Sequence, residues 1–525
     1  MSLIKHTSTI AGFTVISRIF GFVRDIIIAR VLGAGLAADA YQLAFTLPNT
    51  FRRLFAEGAF SVAFIPMYSR KLAGENGEEE AEKFANDVLS VFIWILLGFT
   101  AIAMMAMPFI VWLLAPKFQA IPGKYELSVF LSRVTFPYLA FISMVAMLTG
   151  LLNSRSKFAP GAIAPILFNI VMIIGVLIGH YWRGDSDDDA YVVYALSAAV
   201  SISGLVQMIY LWWSVRRAGL SLKISKPVFS DDIKKLGMLI LPATFGAGIY
   251  QISQFVDTFF ATSLPEGSLT LLKMADRLNQ MPLGIVGIAL GTAILPMLSR
   301  FIQNDDKVQV QRIQAQAFEM ATLLTLPAAA ALAICAPAFT TAFFVGGKFT
   351  LDDGAIMSNI VIALVAGLPA YVIVKILIPG FFARSDTRTP VLTALASLIF
   401  NIGLNIYVVL YAGFGIVGLA AATAASASLN CILLYVILHK RGWFHFTIGL
   451  ANKIVRQIIA TAAMSALLIW LMSWLTPYYS GSVIDKIFSL SLIVISGGAI
   501  YAIAGWAVGA IDREQLSALK RSRGK

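Results

Sequence analysis

The 525-residue chain is 58% hydrophobic and 13% charged, against about 45–50% and about 25% in soluble globular proteins, which excludes a set of water-soluble domains and points to a membrane protein. Its net charge of +12 would suit nucleic acid, but the basic residues sit mainly in short loops between apolar runs, so membrane topology explains them and nucleic-acid binding is excluded. Cys335 and Cys431 fall inside apolar runs, and His6, His180, His439 and His445 are scattered, which excludes a disulfide framework, a cysteine or histidine metal site and a histidine relay.

Residues 1–12 lack a small-residue cleavage site after a short apolar core, so the first apolar segment is expected to remain as a membrane helix. A window of about 19 residues predicts spans near 7–32, 40–69, 86–115, 128–152, 160–180 and 191–215. After a polar linker, further spans are predicted near 236–263, 269–300, 313–345, 356–383, 389–411 and 415–438, with two more near 453–475 and 487–510. The fold class is therefore all-α, a polytopic membrane protein of about 14 transmembrane helices. With the N-terminus inside, that side collects 26 of the 40 Lys and Arg, which places both termini in the cytoplasm by the positive-inside rule. The inside loop 74–87 (GENGEEEAEKFAND) is acidic, but Arg70, Lys71 and Lys83 satisfy a rule that counts only Lys and Arg. The outside run Asp185–Asp189 (DSDDD) reads as a solvated loop.

A shift of 230 residues aligns the chain with itself: Pro66-Met67 with Pro296-Met297, Ser69-Arg70 with Ser299-Arg300, Gly150 with Gly380 and Pro160 with Pro390. With a two-residue slip, Pro137 matches Pro369 and Phe168-Asn169 matches Phe400-Asn401. Two homologous six-helix lobes follow, in one orientation because six is even, with substrate expected between them. The division is 1–217 for the N-terminal lobe, 218–235 for a cytoplasmic linker, 236–440 for the C-terminal lobe, and 441–525 for two extra helices and a cytoplasmic tail.

Charges concentrate in particular spans. Arg18, Arg24, Asp25 and Arg30 lie in the first, Asp39, Arg52, Arg53 and Glu57 in the second, Asp257 in the seventh, Lys273, Asp276 and Arg277 in the eighth, and Lys375 in the tenth. A charge at the centre of a membrane helix costs about 2.5–3.5 kcal/mol on insertion scales and as a rule faces a bundle interior or a wet cavity. Arg18 and Asp25 share a helix face, and Arg53 and Glu57 have the spacing of an intrahelical pair. Eight cations against five acids leave a surplus of three positive charges. Such a surplus calls for an anion, and the guanidinium fork matches a phosphate or diphosphate. A small anion such as chloride could occupy the same cavity. Pro48, Pro282 and Gly284 are expected to interrupt the second and eighth spans beside these charges. Asp257, with Asn401, Asn405 and Thr423, offers oxygens that could hold a sodium ion or could simply hydrogen-bond to one another. No cofactor is indicated.

Residues 17–69 (SRIFGFVRDIIIARVLGAGLAADAYQLAFTLPNTFRRLFAEGAFSVAFIPMYS), 275–296 (ADRLNQMPLGIVGIALGTAILP) and 375–390 (KILIPGFFARSDTRTP) resemble the MurJ (MviN) family of lipid II flippases, part of the multidrug/oligosaccharidyl-lipid/polysaccharide exporter superfamily. The resemblance covers nearly the whole chain. It implies two six-helix lobes and two extra helices that form a groove for a lipid tail. It further implies a transporter rather than an enzyme, working in peptidoglycan synthesis in the bacterial inner membrane and moving undecaprenyl-diphosphate-linked disaccharide pentapeptide to the outer leaflet; alternating access of the two lobes about the bent helices is the mechanism expected here. Carried over residue by residue, it makes Arg18, Arg24, Asp39, Arg52, Arg277 and Lys375 substrate-binding residues, with Asp25 and Glu57 as their partners; Arg53 and Asp276 are read from their place among the charges as further ion-pair partners in the cavity. Gln280 stands where some relatives carry an acid. The expected partners are lipid II, membrane phospholipid and cell-wall synthesis proteins, the chain acting as a monomer. The alternatives are a flippase for another polyprenyl-linked oligosaccharide, or a polyprenyl-phosphate enzyme, which would need a carboxylate or histidine constellation at the membrane face.

Overall fold

A computed structural model describes the backbone of residues 3–52 and 60–511, and the side chains within those ranges except 3–11, 61–62, 241–247, 249–250, 285–290 and 292–293. The chain divides into two compact units, Met1–Thr270 and Leu271–Lys525. The first holds α1 (Leu3–Leu32), α2 (Leu36–Arg52), α3 (Phe60–Leu72), α4 (Gly77–Leu114), α5 (Lys124–Thr135), α6 (Tyr138–Ser154), α7 (Ala159–Arg183), α8 (Ala190–Arg217) and α9 (Asp231–Thr262). The second holds α10 (Ser268–Gln303, starting just before the boundary), α11 (Lys307–Phe343), α12 (Leu351–Val365), α13 (Leu368–Phe382), α14 (Arg388–Tyr407), α15 (Gly415–Lys440), α16 (Ile448–Tyr479) and α17 (Val483–Ala507).

The helices fall on the fourteen expected spans, because α2 with α3, α5 with α6, and α12 with α13 each cover one. Among the described residues, ten of these rods are long and apolar enough to cross a membrane. Two of the joints follow from proline chemistry. Pro137 separates α5 from α6, and Pro369 is in the first turn of α13 after Gly367. Proline supplies no N–H to the preceding turn, so the helix restarts there. These are the prolines that the internal repeat pairs. Pro48 and Pro282 behave otherwise: each sits inside a continuous helix, α2 and α10, so the expected interruptions are absent at those positions.

Helix ends outrun the apolar windows. The acidic run expected as a loop is instead the first turns of α4, with Glu78, Glu79 and Glu80 at its N-terminus, where the helix dipole favours negative charge. The segment after α8 carries no helix as far as Ser230, yet it is not a loose tether. The backbone N–H groups of Ser221, Lys223 and Ser225 donate to Glu82 Oε1, Asn86 Oδ1 and Ser90 Oγ of α4 at 2.7, 2.8 and 2.9 Å. Two residues of extended chain advance about 6.6 Å and four residues of helix about 6 Å, so the two periods match. Lys71 at the end of α3 pairs with Asp232 at the start of α9 at 2.8 Å.

The first unit is packed by an aromatic column. Phe60, Phe64 and Tyr68 repeat at i, i+4 on α3, with ring centroids 5.1 and 5.8 Å apart, and Phe92 and Phe84 of α4 stack on Phe60 and Phe64 at 4.7 and 5.7 Å. Between α7 and α8 the packing is backbone-close. A Cβ added at Gly175 would lie 2.4 Å from the Ala199 Cβ, and one at Gly179 would lie 2.7 Å from the Val192 Cα. This small-residue spacing is how membrane helices gain van der Waals contact when lipid removes the hydrophobic drive.

In the second unit, Phe381, Leu434, Leu438 and Phe444 pack around α11, α13 and α15. Met464, Leu468 and Leu471 of α16 pack with Cys335 of α11 and Ile493 of α17. At one end, Arg384 and Arg441 lie 4.6 and 4.8 Å from the Trp443 ring. Asp386 accepts from Thr389 N, Thr389 Oγ1 and Arg441 Nη1 at 3.0, 2.6 and 2.5 Å. Burial works to raise the Asp386 pKa, but the bonds from Thr389 and the Arg441 guanidinium outweigh it and hold the carboxylate at about 2. The stabilisation from this cap is therefore complete above the ordinary carboxylate value and fades as pH falls through about 2.

Candidate functional site

Arg24, on the inward face of α1, is buried, and all three edges of its guanidinium are used. Nε and Nη2 donate to Asp25 Oδ1 at 3.0 and 2.7 Å, and Nη1 donates to Asn169 Oδ1 of α7 at 2.9 Å. Phe168 underlies the group, with its ring centroid 5.3 Å from Cζ. Asn169 is fixed in turn, its Nδ2 donating to the Ser17 carbonyl at 3.0 Å. Asp25 thus pairs with its neighbour Arg24, not with Arg18 a heptad earlier.

Arg18 is exposed, and among the described residues it makes no ion pair or side-chain hydrogen bond. It lines a cavity of about 330 Å³ within the first unit, together with Thr14, Ser17, Thr149 and Asn153. On α2, Arg52 Nε donates to Asn49 Oδ1 at 3.2 Å. Arg53 and Glu57 lie outside the described residues. Asn169 was not among the residues singled out from sequence, although its repeat partner Asn401 was.

Asp39 stands in the first turn of α2 and is 3% exposed. Lys124 Nζ and Gly267 N donate to Oδ2 at 3.0 and 2.8 Å, and Thr270 N and Oγ1 donate to Oδ1 at 3.1 and 2.8 Å. Lys124, the first residue of α5, is 1% exposed and sits 4.3 Å from the Phe118 ring centroid. Gly267 takes φ +85°, and a Cβ there would lie 2.6 Å from the Ala34 carbonyl, so only glycine fits beside the start of α2. The Asp39 carboxylate is a saturated structural junction in this conformation. Lys124 escaped notice in the sequence because it falls outside the predicted span 128–152 and shares no local spacing with Asp39.

In the second unit, Lys273, Asp276 and Arg277 lie along α10, partly buried, and Gln280 donates to Asp276 one turn on. The amide at position 280 thus serves a neighbouring carboxylate. Among the described residues the side-chain oxygen of Asn279 is buried without a hydrogen-bond partner. Lys375 on α13 is partly buried, and among the described residues it makes no ion pair or side-chain hydrogen bond. α10 passes close by: a Cβ on Gly291 would be 3.5 Å from the Lys375 carbonyl.

Glu319 was overlooked in the charge count, though it falls in the ninth span. It is buried on α11, and Lys453 of α16 holds both its oxygens at 2.9 and 3.0 Å, so this pair is neutral and leaves the cation surplus intact. Asp257 is buried in α9 of the first unit. In the second unit, Asn405 Nδ2 donates to Asn401 Oδ1 at 2.9 Å, and Thr423 Oγ1 bonds the Leu419 carbonyl. Among the described residues no three His, Cys, Asp or Glu side chains group as metal ligands.

A polytopic helical protein that carries cations within its spans is matched over residues 28–489 by the sequence model of a family described as lipid II flippase MurJ. The chain belongs to the MurJ family. A probable lipid II flippase MurJ of Rhizobium meliloti (strain 1021) is 38% identical over 525 residues, covering 99% of this chain and 96% of the relative. One from Rhizobium tropici is 35% identical over 527 residues, covering 100% and 98%. Among solved structures, a lipid II flippase MurJ described as being in an inward closed conformation superposes with a TM-score of 0.75 at 24% identity, covering 94% of this chain and 97% of its own. An inward-facing multidrug resistance MATE family transporter of the MOP superfamily gives 0.68 at 15% identity, with 81% and 94% covered. Both place this MurJ-family chain in the MOP fold. It is a multi-pass membrane transporter and not an enzyme.

Proposed function

We propose that the chain moves lipid II, the undecaprenyl-diphosphate-linked disaccharide pentapeptide, from the inner to the outer leaflet of the bacterial inner membrane by alternating access, with both termini in the cytoplasm. Membership of the lipid II flippase family supplies the substrate class. The observation that carries the reading on this chain is that Arg18 and Lys375 are cations within membrane helices that have no ion-pair partner among the described residues. Each such charge costs about 2.5–3.5 kcal/mol at a helix centre unless an anion offsets it. The headgroup of a diphosphate-linked sugar–peptide carries such anions, the diphosphate and the peptide carboxylate. Arg24, Arg52 and Arg277 join them as residues that hold the anionic headgroup, Arg24 being pre-oriented by Asp25 and Asn169. Asp39 contributes by holding the α2, α5 and α10 ends in place. The transport step breaks no covalent bond of the substrate, so the residues need only bind, release and change sides.

Depletion in growing cells tests the reading. Outer-leaflet exposure of the lipid-linked precursor should fall by about tenfold or more while the inner-leaflet pool rises. Unchanged exposure would sink it.

A further inference from the structure

The cavity beside Arg18 has a composition of its own. Among the described residues its polar lining is Thr14, Ser17, Arg18, Thr149 and Asn153, with no acid among them. The hydroxyls of Thr14, Ser17 and Thr149 and the amide of Asn153 can each donate and accept. Phe158 and Pro165 of α7 close an apolar side. The walls are set by close packing, since a Cβ on Gly161 would meet Thr149 Cγ2 at 2.5 Å. At about 330 Å³ the space is of the size that takes a small organic group.

Its place along the helices matters as much. Thr149 and Asn153 lie at the C-terminal end of α6, and Phe158 and Pro165 at the N-terminal end of α7. The cavity therefore lies at the end where Arg155 and Lys157 join these helices, the side that collects the basic loops. Arg24 stands six residues farther along α1, about 9 Å deeper.

A diphosphate brings more negative charge than one cation offsets. A single guanidinium among four neutral donor–acceptor groups matches instead a group with one carboxylate and several hydroxyls or amides. We infer that this cavity reads the sugar–peptide part of the headgroup, a carboxylate resting on Arg18 and sugar hydroxyls or peptide amides on Thr149 and Asn153, while the diphosphate goes to the deeper cations. The cavity thereby selects the cargo by what is attached to the diphosphate. This inference rests on the transport reading given above.

The test uses the full-length protein in lipid nanodiscs with two probes, undecaprenyl-diphosphate disaccharide pentapeptide and bare undecaprenyl diphosphate. Thr149→Val and Asn153→Leu remove hydrogen-bonding groups at nearly constant size, and Thr149→Ser keeps the hydroxyl. Each of the first two should weaken binding of the complete precursor by about tenfold or more and change that of the bare diphosphate by less than about twofold. Thr149→Ser should bind both as the wild type does. Retained binding of the bare diphosphate also shows that the variants are folded. Equal weakening for the two probes at unchanged unfolding temperature, or no change for either, would overturn the inference. A wild-type protein that binds neither probe would overturn the transport reading, and this inference with it.

Discussion

Replacing Arg24 by alanine is expected to lower lipid II translocation by about a hundredfold or more, equivalent to about 2.7 kcal/mol. The guanidinium spends three edges on Asp25 and Asn169, so its loss removes a cation and takes a hydrogen-bond donor from both neighbours at once. Taking the guanidinium away from the part-buried Asp25 should also lower stability, read as a lower unfolding temperature in detergent. Arg24→Lys should rescue poorly, because an ammonium cannot reproduce a planar fork that meets a carboxylate and an amide in fixed directions. The double variant Arg24→Ala with Asp25→Ala separates the two effects. It should recover much of the stability and none of the transport. If the double variant transports as the wild type does, Arg24 is only a structural charge.

The second large effect is expected at Asp39. Four donors converge on its carboxylate, and Lys124 is almost completely buried against it. Asp39→Ala strands the ammonium and three further donors, with a cost of about 3–5 kcal/mol. Asp39→Asn keeps one accepting oxygen and should lie between the alanine variant and the wild type. Since the low-dielectric penalty falls on the unpaired cation, Asp39→Leu combined with Lys124→Met should regain most of the lost stability. Unfolding temperatures of the four proteins check this. An Asp39→Ala protein that melts like the wild type would show that the junction contributes nothing.

The two variants differ in what the sequence could say about them. Helix count, the all-α class and the joints at Pro137 and Pro369 were legible because apolar length, helix-breaking proline and an internal repeat are properties of the chain itself. The in-span charges were legible for the same reason. Their partners were not. Arg18 and Asp25 share a face by spacing, but Arg24 and Asp25 have guanidinium and carboxylate side by side, and the third partner, Asn169, comes from a helix 145 residues away. Lys124 reaches Asp39 across 85 residues, and Glu319 reaches Lys453 across 134. No periodicity encodes such meetings, which are fixed by how helices pack. The linker after α8 was legible as polar, whereas its docking along Glu82, Asn86 and Ser90 depends on a match between extended and helical rise that composition cannot reveal. Asn169 was the nearest miss, since the repeat that brought Asn401 forward pointed to it as well.

The central claim is that membrane-embedded cations carry a lipid-linked anion across the bilayer, and a reconstituted system tests it most directly. Purified protein is placed in sealed vesicles with lipid II on one leaflet, and the amount that becomes accessible on the other is followed with time, beside vesicles that hold the Arg24→Ala protein or no protein. The account predicts translocation by the wild type at about a hundred times the rate of the other two or more. Equal rates in all three vesicle types would contradict it.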